Sequence, residues 1–214
     1  MPSFTWKTAG MAGIVALAAG GIGAGLQAGR QAVDAPKVLA STQTPEPTAD
    51  PAPASELVEF RHEAAGFALS APEAWARPGV SDPQVAFIAA EYDPAENRGG
   101  SILVRVAPLE AAVTRDQLAE ARKVTDEIVR QGNGVELKAQ PAEIEQGGVP
   151  GLYYLYTFED PVSGRRGVHS HYFLFHGRAM ISMVFQALPD GDFAGLAPLF
   201  DRVADSFRVL GPGS

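Results

Sequence analysis

At 214 residues the chain holds one ordinary domain plus an appendage, and roughly 150 residues bury close to 70% of their unfolded surface without any covalent staple. It has no cysteine, which excludes disulfides, thiol catalysis and the lipid-modified cysteine of a bacterial lipoprotein. The net charge of −8 falls entirely beyond residue 55, because Lys7, Arg30 and Lys37 cancel Asp34, Glu46 and Asp50, and so acidic a domain is not expected to bind nucleic acid.

Residues 8–29 carry no charge and lie between Lys7 and Arg30. At ~1.5 Å rise per residue they reach about the ~30 Å of a bilayer core. Ala and Gly dominate the stretch, with Ile14, Val15, Leu17, Ile22 and Leu26 as its strongly apolar members. Residues 1–30 are therefore expected to form an N-terminal hydrophobic helix that serves as a single-pass signal anchor in the cell membrane. Secretion after cleavage of an export signal is the alternative. Gly21 and Gly25 have a GxxxG spacing that so glycine-rich a segment produces by chance. Residues 31–55 follow with prolines at 36, 45, 47, 51 and 53 and no aromatic side chain, a composition that cannot bury a core. This is read as a disordered linker that holds residues 56–214, the globular domain, away from the membrane on its extracytoplasmic side.

Within that domain, Phe67 and Leu69 alternate as a short strand stopped by Pro72, and Trp75 follows in the turn. Residues 84–90 (QVAFIAA) and 101–108 (SILVRVAP) are β-branched and aromatic runs joined by a long acidic connection, as in a hairpin. A helix is expected over 114–131, where Thr114 and Gln117 make a capping-box pattern and Gly132 or Gly134 ends it. Leu118, Ala121, Thr125, Ile128 and Val129 form its apolar stripe. After a short strand near 135–139 come three runs, 152–159 (LYYLYTFE), 167–175 (GVHSHYFLF) and 179–186 (AMISMVFQ), with connections too short for parallel crossovers. The meander is apolar on both sides, so both faces need cover, the earlier helix on one and a later helix on the other. That later helix carries Phe193, Leu196, Phe200, Val203 and Phe207 at helical spacing behind a candidate cap, Asp192.

The order GF-x-L-x-x-P-x-x-W over 66–75, a β-rich middle, YYLYTF, HYFLFHGRAMISMVF, and a helix ending in ADSF resembles the PsbP-like family. In kind it is most similar to the exported LpqN-like proteins of actinobacteria. Over residues 57–210 the resemblance implies an α+β fold, an α/β/α sandwich with a central antiparallel sheet, and an accessory or binding role without catalytic residues. The Ala, Gly and Arg content looks like that of a high-GC bacterium, and the missing acceptor cysteine leaves residues 8–29 as the tether.

Three side chains are candidates for ligand contact. His169 and His171 lie two apart on a strand and so point to one face, where they read first as a polar rim of the sheet, second as a ligand-facing or pH-sensitive pair, and last as the start of a metal site, for which no third ligand is evident. His176 follows in the next turn, at a register that the sequence leaves open. Trp75 reads first as a lid on the sheet edge and second as an aromatic that grips a ligand. No nucleophile elbow or phosphate loop occurs, and Arg165 and Arg166 at a hairpin tip read as solubilising charge. The expected function is a membrane-tethered, non-catalytic extracytoplasmic module with no cofactor, partnered by the membrane and by an envelope protein or small ligand. The alternatives are a hydrolase or metal-dependent enzyme using His169 and His171, or a structural envelope protein.

Overall fold

The computed structural model describes residues 56–93, 95, 96 and 98–211. The anchor expected at 8–29 and the linker at 31–55 lie outside the described residues. Among the described residues no helix is long and apolar enough to cross a membrane.

The main sheet contains seven antiparallel strands: β3 (Val85–Asp93), β4 (Arg98–Pro108), β5 (Glu136–Leu137), β6 (Ala142–Gln146), β7 (Val149–Glu159), β8 (Arg166–His176) and β9 (Ala179–Leu188). Their order is β3-β4-β9-β8-β7-β5, with β6 also paired to β7. The meander β7-β8-β9 is thus its centre, as expected from its run of apolar residues with short turns. Gly177, at φ 55°, supplies the left-handed residue that the β8–β9 turn requires. A second sheet, which the sequence reading did not anticipate, joins β1 (Leu57–His62), β2 (Phe67–Pro72) and β10 (Arg208–Val209) in the order β1-β2-β10.

Two helices complete the domain, and they cover opposite faces of the main sheet. On one face, α1 (Leu118–Arg130) buries Leu118, Ala121, Ile128 and Val129 against Leu152, Tyr154, Phe173, Phe175 and Met180. A short 3-10 turn, Arg115–Gln117, leads into it, and the amide of Thr114 donates to Oε1 of Gln117 at 3.0 Å as the capping box requires. On the other face, α2 (Phe193–Asp205) and the small sheet bury Phe67, Leu69, Phe200, Val203 and Phe207 against Ile102, Val104, Leu174, Ile181, Met183 and Phe185. The fold is therefore the expected α+β architecture, with the second face shared between a helix and a three-stranded sheet.

Two local expectations change. Asp192 does not cap α2: it has helical dihedrals and makes no side-chain cap bond. Its carboxylate instead takes a two-pronged bond from Arg98 at 2.9 and 2.8 Å, and that charge-assisted fork outcompetes a single bond to a backbone amide. Phe207 lies beyond the end of α2, where the chain turns into β10, yet its ring stacks on Phe67 at 5.7 Å and stays in the same core.

Candidate functional site

Strand alternation puts the odd residues of β8, His169, His171, Phe173 and Phe175, on the α1 face, as the two-residue spacing of the histidines predicts. Register supplies their partners. His169 stands directly opposite Tyr156 on β7 and Gln186 on β9, while His171 lies diagonal to Tyr156 on one side and to Ser182 on the other.

These five side chains make one hydrogen-bonded row across three strands. His169 Nε2 is 2.9 Å from Gln186 Oε1 and its Nδ1 is 3.2 Å from the Tyr156 hydroxyl. The same hydroxyl lies 3.1 Å from Nδ1 of His171, whose Nε2 is 2.7 Å from Ser182 Oγ. The row has a direction. Because Gln186 presents an oxygen, His169 carries its proton on Nε2 and accepts at Nδ1 from Tyr156. Tyr156 then has only its oxygen left, so His171 donates to it from Nδ1 and accepts the Ser182 proton at Nε2. Each ring nitrogen is satisfied with both imidazoles neutral.

Burial keeps them so. His169 and His171 are 8% and 3% exposed. Desolvation lowers the pKa of His169 to about 4, against a smaller upward pull from Gln186. Desolvation, followed by the neighbouring His169, drives His171 well below the ordinary histidine range, and desolvation raises Tyr156. Aromatic rings pack around the row: Phe158 stacks on His169 at 4.1 Å and Phe173 lies against His171 at 3.9 Å.

Next to Ser182, on the neighbouring strand, stands a buried cation. Arg105, 6% exposed, pairs in register with Ser182 and donates from Nη2 to Asp82 at 2.6 Å and to Gln84 at 3.2 Å. Its Nη1 is buried with no hydrogen-bond partner. Arg105, Ser182 and Gln84 share a small cleft with Ala107, Ile128, Phe173 and Met180, whose free interior of about 10 Å³ is room for one water-sized group.

Ser182, His171 and Tyr156 have the reach of a nucleophile, a base and an orienting group, and Arg105 is a donor beside them. Two features oppose acyl chemistry there. The cleft admits one water-sized group and no carbonyl with its substituents, and an imidazole held far below neutral basicity is a poor acceptor for a serine proton. Among the described residues no group of three or more metal-ligating side chains comes together. The ring nitrogens of both histidines already face Tyr156, Gln186 and Ser182.

The structure brings His169 and His171 together and leaves Trp75 apart. Trp75 is 5% exposed in the core on the α2 face, edge-on to Phe200 at 6.4 Å. Its packing matches the lid reading, with the sheet between it and the histidines. His176 ends β8, its ring beside Gly66 in the turn between β1 and β2. Tyr156, Ser182, Gln186 and Arg105 were missed in the sequence. The available signal was polar residues inside otherwise apolar runs, above all Arg105 within SILVRVAP and Ser182 and Gln186 four apart in β9.

No protein-family model matches the chain, and comparison with curated proteins finds no match. Solved structures do match. The crystal structure of LpqN, involved in cell envelope biogenesis of Mycobacterium tuberculosis, aligns at TM-score 0.54 and 12% identity over 73% of this chain and 91% of that one. The cyanobacterial PsbP of Synechocystis sp. PCC 6803 aligns at TM-score 0.48 and 19% identity, covering 74% and 94%. PA94 of Pseudomonas aeruginosa, a protein of unknown function, aligns at TM-score 0.46 and 17% identity, covering 75% and 99%. The described domain thus has the fold seen in LpqN, as the motif order over 66–207 led us to expect. At these identities the likeness concerns the fold alone.

Proposed function

We propose that the chain is a membrane-tethered, extracytoplasmic accessory or binding module that carries out no chemistry of its own. The observation that carries this reading is the closure of the polar row: Gln186, His169, Tyr156, His171 and Ser182 hold one another, and neither imidazole has a ring nitrogen left to take a proton from a substrate. Such a row specifies strand register and rigidifies the α1 face, which suits a scaffold that presents surfaces. The uncharged stretch 8–29 and the proline-rich stretch 31–55 supply a tether and a spacer. LpqN, which shares this fold, is involved in cell envelope biogenesis, and that supports an envelope setting for the domain.

Alkaline carbonate extraction of membranes from cells that express the full chain tests the tether. The chain is expected to stay in the pellet, and a variant with Leu17→Asp and Ile22→Asp to move to the supernatant. Release of the unaltered chain by carbonate contradicts the proposal.

A further inference from the structure

We propose that the cleft between α1 and strands β4 and β9 is a binding site for one hydroxyl group presented by a small, otherwise apolar molecule. The inference deepens the binding-module reading and rests on it. Four observations converge. The first is the unpartnered Nη1 of Arg105, since a buried donor without an acceptor is costly and favours any occupant that accepts from it. The second is Ser182: its proton is committed to Nε2 of His171, so it offers the cleft a lone pair. A group placed between Arg105 and Ser182 must therefore accept from one and donate to the other. A hydroxyl does both, whereas a carbonyl or carboxylate only accepts and an ammonium only donates.

The third observation is Asp82, whose carboxylate at 2.6 Å already neutralises Arg105 and leaves the site no net charge with which to draw an anion. The fourth is the wall. Ala107, Ile128, Phe173 and Met180 surround the polar pair with carbon and sulfur, and the free interior of about 10 Å³ admits the hydroxyl and leaves the attached chain at the mouth. A single water fits the same pair of partners.

The test uses the full chain in detergent micelles with methyl-13C methionine. The chain has four methionines, of which Met180 lines the cleft and Met183 packs on the opposite face of the sheet as an internal control. Titration with 1-propanol is expected to shift the Met180 methyl to saturation and leave Met183 in place, while sodium propionate at the same concentrations moves neither. Ile128→Phe, which fills the mouth with a larger apolar side chain, is expected to abolish the propanol response while the Met183 signal stays where it is in the unaltered chain. Three results overturn the proposal: no Met180 shift with propanol, parallel non-saturating shifts of both methyls, or equal saturation by propionate. Each leaves the tether untouched, because carbonate extraction reads that separately.

Discussion

Tyr156 stands between His169 and His171 and serves both with a single hydroxyl, 3.2 Å from Nδ1 of the first and 3.1 Å from Nδ1 of the second. The arrangement works only if that hydroxyl donates to one ring and accepts from the other, which fixes both tautomers and sets the direction of the whole row. Removing one oxygen therefore orphans two buried nitrogens.

Tyr156→Phe keeps the ring and deletes the link. It is expected to destabilise the domain by about 1–3 kcal/mol, the cost of leaving buried polar groups without partners. Guanidinium titration reads this as a lower midpoint at unchanged slope. A loss below about 0.5 kcal/mol would show that the row is not closed as described.

Stability should depend on pH through the same pair. Both histidines have folded pKa values below their unfolded value, His169 at about 4 and His171 well below the ordinary histidine range, so at mildly acidic pH the unfolded chain binds more protons. Their contribution is fully present above about 6.5 and is lost as pH falls through the interval down to about 4. For His169 alone the loss is on the order of 3 kcal/mol. Thermal melts between pH 7.5 and 4 are expected to show a falling Tm, with a shallower fall for His169→Gln. Identical slopes in the variant and the unaltered chain would contradict the burial of a neutral imidazole.

The ion pair beside Ser182 gives a third expectation. Asp82 and Arg105 are 18% and 7% exposed at their side chains, so deleting one partner strands a charge away from water. Asp82→Ala is expected to cost about 3–5 kcal/mol, and Arg105→Met with Asp82→Ala together less than Asp82→Ala alone. A double-mutant cycle checks the order of the two losses.

On the opposite face, Phe200 is 2% exposed and meets Trp75, Phe185 and Phe193 at centroid distances of 6.4, 5.4 and 6.2 Å. Phe200→Ala should cost about 3–5 kcal/mol by chemical denaturation, a large part of a domain's margin. Gly147 tests the joint between the sheets. Its φ is +58°, and an added Cβ would stand 2.6 Å from the carbonyl oxygen of Phe207, so Gly147→Ala is expected to lower Tm by several degrees even though the substitution is small.

Much of this was legible in the residues, and the gaps have a common cause. Runs such as LYYLYTFE and HYFLF announce strands by composition, and a turn as short as HGR leaves no choice but antiparallel pairing. The stripe from Leu118 to Val129 announced α1 because helical spacing is a local property. Register is not local: nothing in the sequence says that His169 faces Tyr156 and Gln186, so the histidine pair was visible and its partners were not. The same holds for the small sheet, where β10 is only two residues long and pairs with β2 across most of the domain. Asp192 shows a different limit. An acidic residue ahead of a helix reads as a cap, and only the arrival of Arg98 from a distant strand diverts it.

The proposed function requires this domain to stand outside the cytoplasmic membrane on a tether, and proteolysis of intact spheroplasts tests that requirement most directly. Protease added from outside is expected to cut within residues 31–55 and release a folded fragment that begins near Glu56, while a cytoplasmic marker stays whole. A full-length chain that survives protease in intact spheroplasts and is cut only after lysis would contradict it.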